Sequence, residues 1–246
     1  MHLYGLIGYP LGHSFSKQYF TEKFAREGLT NCSFETFPIS SIEDFPALLK
    51  ENPELKGLNV TIPYKEQVLQ FISELSGEVR AIRAANCIKI SGDKMVAYNT
   101  DIIGFERSFT KQIQPHYTKA LILGTGGSSK AVQYVLKKLN IDFLLVTRSE
   151  SKKEGKINYK MISEKIMHEY KAIINCSPAG MSPNENTFPD IPYHLLTPDH
   201  YLFDLVYKPA QTLFLQKGEE RGAAIQNGYE MLIIQAEESW KIWNEL

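Results

Sequence analysis

The stretch ALILGTGGSSKAVQYVL, residues 120–136, predicts a buried strand, a glycine turn and a helix in direct succession. Gly124 and Gly126 occupy the first two positions of the pattern G-x-G-x-x-G, and Ser129 stands at the third. In a dinucleotide-binding turn the first glycine permits the tight bend, the second lets a pyrophosphate approach the backbone, and the helix N-terminus attracts the phosphates. An ordinary glycine turn is the alternative, and the flanking strand and helix favour dinucleotide binding over it.

The end of the next predicted strand indicates which dinucleotide binds. NAD sites usually carry an acidic residue there, about 20 residues after the glycines, to hold the ribose hydroxyls. Here the polar residues at and after the strand end are Thr147, Arg148, Ser149, Glu150, Lys152 and Lys153. Arginine and serine suit a 2′-phosphate through charge-assisted hydrogen bonds, so the sequence predicts NADP rather than NAD. Glu150 opposes this interpretation, and a solvated charged loop remains the alternative.

Strand-like and helix-like segments alternate along the rest of the chain. Strands are predicted at 2–8, 33–39, 57–62, 86–91, 95–99, 120–124, 143–147, 172–176 and 201–206. Helices are predicted at 16–28 and 129–140, with a terminal helix in the last 18 residues, and GDK at 92–94 indicates a hairpin. This alternation is typical of an α/β protein with parallel sheets.

Composition limits the possible functions of the 246-residue chain, whose net charge is −1. That charge does not favour binding to nucleic acid or to an anionic membrane. The sequence contains no apolar run of the roughly 20 residues that a membrane helix needs, and its start lacks the pattern of a signal peptide. The three cysteines, Cys32, Cys87 and Cys176, form no metal-ligand spacing. We therefore expect reduced structural thiols, no metal site and a cytoplasmic protein.

Small polar residues gather at predicted strand ends in the first hundred residues. They are Ser14, Ser16, Asn59, Thr61, Lys65, Asn86, Asn99, Thr100 and Asp101. Each has an ordinary explanation, such as a helix cap for the serines and Asp101 or a surface position for Lys65. Open α/β sheets bind their ligands at strand ends, however, and this favours a common site.

The stretch NVTIPYKE, residues 59–66, is the most specific of these. Asn59 and Thr61 would share one strand face by the period of two, and both would line a pocket wall. Pro63 lacks an N–H and would end the strand, so that Lys65 leaves the sheet. Partial burial can lower the pKa of a lysine, which makes Lys65 a candidate for proton transfer.

Taken together, the motifs resemble the shikimate dehydrogenase family from one end of the chain to the other. Those that carry the resemblance are GYPLGHSFS (8–16), NVTIPYK (59–65), NTDIIG (99–104), the glycine loop, INCSPAGM (174–181), FDLVYKPAQTLFL (203–215) and NGYEMLIIQAEESW (227–240). The resemblance implies two α/β domains. Residues 1–101 plus 229–246 would form the substrate-binding catalytic domain, and residues 102–228 a Rossmann-like, doubly wound NADP-binding domain.

The resemblance also implies a role for individual residues. Lys65 and Asp101 would be catalytic, and Asp101 would also bind substrate. Further substrate contacts would come from Ser14, Ser16 and Tyr207 at the carboxylate, and from Thr61, Asn86, Asp101 and Gln235 at the ring hydroxyls. Asn59 is added as a substrate-binding residue because it shares the strand face of Thr61. The cofactor would be held by Gly124, Gly126, Gly127 and Ser128 at the pyrophosphate, by Thr147, Arg148 and Ser149 at the adenosine, and by Val206 and Gly228 at the nicotinamide.

Three positions depart from the family pattern. Thr147 replaces an asparagine beside Arg148, Arg83 replaces a glycine, and Cys87 replaces a threonine.

The activity implied by the resemblance is reversible, NADPH-dependent reduction of 3-dehydroshikimate to shikimate. The alternatives are a quinate/shikimate dehydrogenase of the same family and a non-catalytic, dinucleotide-sensing protein. We expect a small-molecule substrate, no nucleic-acid or membrane partner, and a monomer or homodimer.

Overall fold

The computed structural model describes residues 1–12, 14–149 and 154–245, and the chain divides into two compact units. Unit 1 comprises Met1–Ile103 and Ile234–Leu246, and unit 2 comprises Gly104–Ile233. The units therefore change over at 103/104 and 233/234, where the sequence analysis placed the boundaries at 101/102 and 228/229. Three residues that bear on the cofactor prediction, Glu150, Lys152 and Lys153, lie outside the described residues.

Unit 1 is built on a mixed sheet. Its strands are β1 (His2–Ile7), β2 (Cys32–Phe37), β3 (Leu55–Val60), β4 (Glu74–Leu75), β5 (Cys87–Ser91) and β6 (Lys94–Tyr98), in the spatial order β2-β1-β3-β5-β6-β4. β1 pairs in parallel with β2 and β3, whereas β5 runs antiparallel to both β3 and β6. The hairpin predicted at GDK is thus confirmed, whereas the prediction of parallel sheets is wrong for β5, which runs antiparallel to both of its neighbours.

The helices of unit 1 place polar side chains beside this sheet. They are α1 (Phe15–Arg26), α2 (Phe45–Glu51), α3 (Gly77–Ile82), the start of α4 (Thr100–Phe109) and the larger part of α8 (Tyr229–Glu245). Gly57 on β3 explains how closely α8 packs on the sheet, since a Cβ there would lie 2.3 Å from the Trp243 indole. The Trp243 indole N–H donates to the Ile88 carbonyl at 3.0 Å, which fixes α8 against β5.

Unit 2 is built on an all-parallel sheet. Its strands are β7 (Lys119–Leu123), β8 (Asp142–Thr147), β9 (Lys156–Asn158), β10 (Ala172–Asn175), β11 (Tyr201–Asp204) and β12 (Ala224–Gln226), in the order β12-β11-β10-β7-β8-β9. α5 (Gly127–Lys138), α6 (Glu164–Glu169) and α7 (Leu213–Glu219) connect them. Numbered along the chain, this is the 3-2-1-4-5-6 order of a doubly wound dinucleotide fold. The predicted fold class is confirmed.

All nine strands expected from the sequence are present, and three short ones were missed: β4, β9 and β12. β3 ends at Val60, two residues earlier than expected, and the chain turns at 62–66. The Thr61 N–H nevertheless donates to the Ile7 carbonyl at 3.0 Å, so pairing with β1 continues one residue past the strand. No described helix has the length and apolar character needed to cross a membrane.

Arg83 ends α3 in the left-handed conformation, with φ 55° and ψ 43°. A side chain at such a position costs about 1–2 kcal/mol relative to glycine, whose missing Cβ removes the clash. The family pattern has glycine here, and the backbone of this chain keeps the conformation that glycine favours. The departure therefore changes stability rather than the path of the chain.

Replacing Arg83 by glycine should stabilise the protein. We expect R83G to raise the free energy of unfolding by about 0.5–1 kcal/mol, because relief of the strained φ outweighs the extra entropy of glycine in the unfolded chain. Urea denaturation of R83G and the parent would measure the change. N140G is the matched control: Asn140 is also exposed, with φ 56°, but asparagine tolerates this region, so the gain should be smaller. A gain for N140G as large as that for R83G would contradict the explanation.

Candidate active site

Unit 1 holds an ion pair between Lys65 and Asp101. Lys65 lies in the turn after β3, and Asp101 lies in the first turn of α4. Their Nζ and Oδ2 atoms are 2.6 Å apart, and the side chains are 11% and 2% exposed. Removing a carboxylate from water to this degree is unfavourable unless it is paired and hydrogen-bonded, and here the ammonium meets that need.

Asn86, just before β5, fixes the second oxygen of Asp101. Its Nδ2 donates to Asp101 Oδ1 at 3.0 Å and also lies 3.1 Å from Thr100 Oγ1 and 3.3 Å from Gln235 Oε1. Its Oδ1 accepts from the backbone N–H of Thr100 at 2.7 Å. One buried amide thus connects the start of α4 with α8.

Asn59 extends the same network to β3. Its Nδ2 lies 3.2 Å from the Asn86 carbonyl and 3.0 Å from Ser239 Oγ, and Ser239 is fully buried on α8. The structure therefore brings together Lys65, Asp101, Asn86, Gln235 and Asn59 among the predicted site residues. Sequence analysis missed Ser239, and its signal was its position four residues after Gln235, on the same helix face.

Cys87 packs beneath this network on β5 and is fully buried. Burial raises the pKa of its thiol to about 12, so the group stays neutral at physiological pH. All three cysteines are free in the structure. Cys87 thus behaves as a small core residue in the place where the family pattern has threonine.

The two serines of the N-terminal motif lie at the start of α1. Ser14 is the N-cap, and its side chain accepts from the Lys17 N–H at 3.3 Å. Ser16 follows in the first turn, and both side chains are partly exposed. The ordinary capping role is therefore filled by Ser14, whereas Ser16 lies at the second position of the helix.

The glycine loop of unit 2 uses its two glycines for different reasons. Gly124 has φ +109°, and a Cβ there would lie 3.3 Å from the backbone of Cys176 and Ser177, so fold geometry alone requires glycine. Gly126 has φ −72°, which any residue adopts, and a Cβ there would meet nothing within 4 Å. Its lack of a side chain therefore leaves open space at the N-terminus of α5, which starts at Gly127 and continues with Ser128. This space fits the approach of a pyrophosphate to backbone N–H groups.

The end of β8 carries the residues predicted for the adenosine side. Thr147 Oγ1 donates to the Ser149 carbonyl at 2.5 Å, which closes a tight turn around Arg148. Arg148 itself is exposed, so its guanidinium is accessible to solvent and to a ligand. Burial raises the pKa of nearby Tyr159, on which the positive charge of Arg148 acts in the opposite direction.

The segment after β11 carries Val206 and Tyr207. Val206 is buried, and its carbonyl accepts from the Gly228 N–H at 3.1 Å. A Cβ on Gly228 would lie 2.3 Å from the Leu205 carbonyl oxygen, so only glycine permits this contact. Burial raises the pKa of the Tyr207 hydroxyl.

Asp204, the last residue of β11, is a buried acid that the sequence analysis did not identify. It is fully buried, and neutral groups donate to both of its oxygens: Asn175, Thr212 and the backbone N–H of Val206. Burial raises the pKa of this carboxyl to about 6. The available signal was an acidic residue inside the otherwise apolar run YLFDLV.

Comparison with known proteins gives a consistent result. A family model described as the shikimate dehydrogenase substrate binding domain matches residues 6–88. Shikimate dehydrogenase (NADP(+)) of Caldicellulosiruptor saccharolyticus is 34% identical over 255 residues, covering 98% of this chain and 91% of the relative.

Solved structures agree over the whole chain. The chorismate mutase/shikimate 5-dehydrogenase fusion protein of Clostridium acetobutylicum matches with a TM-score of 0.89 and 32% identity, covering 100% of this chain and 92% of that one. Shikimate 5-dehydrogenase of Thermus thermophilus, in complex with NADP(H) and shikimate, matches with a TM-score of 0.87 and 26% identity, covering 100% and 94%.

Because the space at Gly126 is open, we predict that a side chain there weakens cofactor binding without destabilising the fold. A methyl group there meets no protein atom but would obstruct a pyrophosphate, so G126A should keep its melting temperature and lose affinity for NADPH by about tenfold or more. Thermal melts and NADPH fluorescence titrations would measure the two effects. G124A is the control that should lose stability, because of its positive φ and close contacts. Unchanged NADPH affinity in G126A would show that the loop does not approach the phosphates.

Proposed function

The chain belongs to the shikimate dehydrogenase family, and we propose that its Lys65 and Asp101 form the catalytic pair. The protein is an NADP-dependent oxidoreductase acting on a CH–OH group: it reversibly reduces 3-dehydroshikimate to shikimate, in the pathway to the aromatic amino acids. The single observation that carries the residue assignment is the 2.6 Å contact between Lys65 Nζ and Asp101 Oδ2 in a largely buried setting.

Each unit has its own part in this proposal. Unit 1 binds the substrate, which is supported by the family model over residues 6–88 and by the polar network around Asn86. Unit 2 binds NADP, which is supported by its strand order and by the open space at Gly126. In terms of the chain, this assigns residues 1–101 and 229–246 to substrate and 102–228 to cofactor.

Lys65 performs the proton transfer. A bound NADPH supplies the hydride, so the protein has to deliver one proton to the oxygen of the reacting carbon. The Lys65 ammonium delivers it in the direction of reduction, and the neutral Lys65 amine accepts it in the direction of oxidation. Asp101 holds the lysine in place and accepts a hydrogen bond from the same substrate hydroxyl, while Asn86 fixes the orientation of the Asp101 carboxylate.

The remaining polar residues bind and orient the substrate. Ser14, Ser16 and Tyr207 bind its carboxylate through hydroxyl groups. Asn59, Thr61, Asn86 and Gln235 contact the rest of the ring. The support is the partial exposure of Ser14 and Ser16 and the contacts of Asn59 and Gln235 within the Asn86 network.

The cofactor contacts follow the glycine loop and the strand ends. Gly124, Gly126, Gly127 and Ser128 hold the pyrophosphate; Thr147, Arg148 and Ser149 hold the phosphorylated ribose and adenine; Val206 and Gly228 border the nicotinamide. The exposed Arg148 favours the 2′-phosphate of NADP over the bare ribose of NAD.

Activity on quinate is the second candidate within the same family, and a dinucleotide sensor without chemistry is the candidate from another class. The intact Lys65–Asp101 pair favours catalysis, since a sensor would have no use for a buried ammonium beside a carboxylate. Absorbance of the reduced nicotinamide, followed after mixing protein, NADP and either shikimate or quinate, tests all three. We expect turnover with shikimate, and absence of turnover with both acids would support the sensor.

We further propose a cytoplasmic protein that is a monomer or homodimer. Three free cysteines, one of them fully buried, suit a reducing compartment.

Loss of the Lys65 ammonium should lower kcat far more than it alters the KM for shikimate. General acid–base help is typically worth 10²–10⁴-fold, so K65A should lose about that factor in kcat. D101N should also lower kcat. Because the two groups act on one hydroxyl, the double variant should be less impaired than the product of the single losses. Steady-state kinetics of the three variants would measure this.

K50A provides the matched control for these variants. Lys50 is an exposed lysine in the last turn of α2, and its removal should leave kcat unchanged. Normal kcat in K65A would show that Lys65 is an ordinary lysine, and strictly multiplicative losses would show that the pair does not act as a unit.

Removal of Arg148 should reduce the preference for NADP. A charge-assisted hydrogen bond is worth about 1.5–3 kcal/mol, so R148A should raise the KM for NADP by about tenfold or more and change the KM for NAD much less. Kinetics with both cofactors would measure the split. R221A, which removes an exposed arginine after α7, should change neither. Equal increases for the two cofactors in R148A would contradict the assignment.

A further inference from the structure

The buried carboxyl group of Asp204 accepts hydrogen bonds from residues in three different segments of unit 2. Its Oδ1 accepts from Asn175 Nδ2 at 2.9 Å and from the Val206 N–H at 3.0 Å. Its Oδ2 accepts from Thr212 Oγ1 at 2.6 Å. Asn175 ends β10, Val206 follows β11, and Thr212 is the N-cap of α7. All of these lie at the carboxyl end of the parallel sheet, where doubly wound folds bind their ligands.

The partners of Asp204 in turn order the loop after β10. Asn175 Nδ2 also lies 3.4 Å from the Ala179 carbonyl, and Asn175 Oδ1 accepts from both the N–H and the hydroxyl of Ser177, at 3.0 and 2.6 Å. Ser177 belongs to the backbone that a Cβ on Gly124 would contact. Asn175 therefore orders the loop that packs against the glycine turn through its own contacts, which are additional to its hydrogen bond to Asp204.

The segment of Val206 and Tyr207 is held from a second side by backbone contacts. The Leu205 N–H donates to the Asn175 carbonyl at 3.0 Å, and the Val206 carbonyl accepts from Gly228 at 3.1 Å. Asp204 supplies the side-chain part of this support, and its carboxyl fixes the Val206 N–H directly.

We propose that Asp204 is a positioning residue for the hydride-transfer reaction, which sets the backbone of residues 205–207 against the nicotinamide end of the cofactor. This inference rests on the proposed roles of Val206 and Tyr207. Asp204 acts through these two residues and does not touch the reacting atoms. Its donors are neutral groups, so geometry rather than charge is what the carboxyl provides.

A comparison of Asp204→Ala with Asp204→Asn separates geometry from charge. Asparagine can keep both Oδ1 contacts, and its Nδ2 can donate to Thr212 Oγ1, so D204N should keep kcat within about threefold of the parent. Alanine removes all three contacts. Since misplacement of about 1 Å costs up to about 100-fold in rate, D204A should lose about tenfold or more in kcat.

Binding of two ligands shows which part of the cofactor is affected by the D204A substitution. 2′-Phospho-ADP-ribose contains the phosphates and the adenosine but lacks the nicotinamide ring, whereas NADP⁺ contains all three. In D204A the affinity for the fragment should change less than about twofold, and the additional affinity that NADP⁺ gains from its nicotinamide should fall. Calorimetric titration of both ligands into D204A, D204N and the parent would measure these changes.

His200→Gln is the control for a merely structural role. His200 is also fully buried, next to β11, and its ring nitrogens contact the Met167 carbonyl and Thr197. It precedes β11 and therefore lies at the opposite strand end from Asp204. H200Q should lower the melting temperature while kcat and the NADP⁺-to-fragment affinity ratio stay unchanged.

The outcomes distinguish this inference from the proposed function. If the parent itself neither binds NADP⁺ nor turns over shikimate, the proposed function fails. If the parent is active and folded D204A keeps both kcat and the affinity ratio within about twofold, the positioning role is overturned. Should D204A not fold, Thr212→Val removes the Oδ2 contact, together with the cap that Thr212 provides for the Leu215 N–H, and should lower kcat and the affinity ratio in the same direction. No change in T212V would then overturn the inference.

Discussion

The buried contact between Lys65 and Asp101 is the constraint on which the polar organisation of unit 1 depends. A carboxylate only 2% exposed loses several kcal/mol of solvation, and the ammonium at 2.6 Å compensates one of its oxygens. The other oxygen needs a donor as well, and Asn86 provides it at 3.0 Å. Asn86 must in turn be held in one orientation, which its bond from the Thr100 N–H achieves at 2.7 Å. Burial of the Asp101 carboxylate thus requires the contact from Asn86, and the orientation of Asn86 in turn requires the contact from Thr100.

In unit 2 the Asp204 carboxyl is also removed from water, but different groups compensate for the lost solvation. Three neutral donors surround this carboxyl and no cation among the described residues forms an ion pair with it, so burial dominates and raises its pKa to about 6. In unit 1 the acid is paired with a lysine, for which we propose the proton-transfer role, and it holds that lysine in place. In unit 2 the acid joins strand ends, which needs directional acceptors more than charge. The two buried acids are therefore stabilised differently, one by an ion pair and the other by neutral hydrogen-bond donors.

The local parts of the structure could be predicted from the sequence, and the long-range side-chain contacts could not. The glycine loop is a contiguous signal in which strand, turn and helix follow one another, and the order of β7, Gly124 and α5 is as expected. The Asn86 network combines residues from β3, α4 and α8, and nothing in the local sequence near Ser239 indicates that it contacts Asn59. GDK indicated the antiparallel β5–β6 hairpin, but the antiparallel pairing of β5 with β3 was missed, because strands of both kinds of sheet share the same side-chain period of two. The short strands β4, β9 and β12 have two or three residues each, too few for a period to be detected.

Arg83 keeps the left-handed backbone conformation that glycine favours, although this chain has no glycine at this position. The chain turns at φ 55° after α3, just before Ala84, Ala85 and Asn86. The Ala85 N–H donates to the Lys65 carbonyl at 2.8 Å, and Asn99 Nδ2 donates to the Ala84 carbonyl at 2.9 Å. These contacts fix the approach to Asn86 from both sides, so relaxing φ at Arg83 would displace the amide that holds Asp101. The left-handed conformation is therefore retained with arginine at a cost of about 1–2 kcal/mol, because the alternative is to lose the geometry of the buried acid.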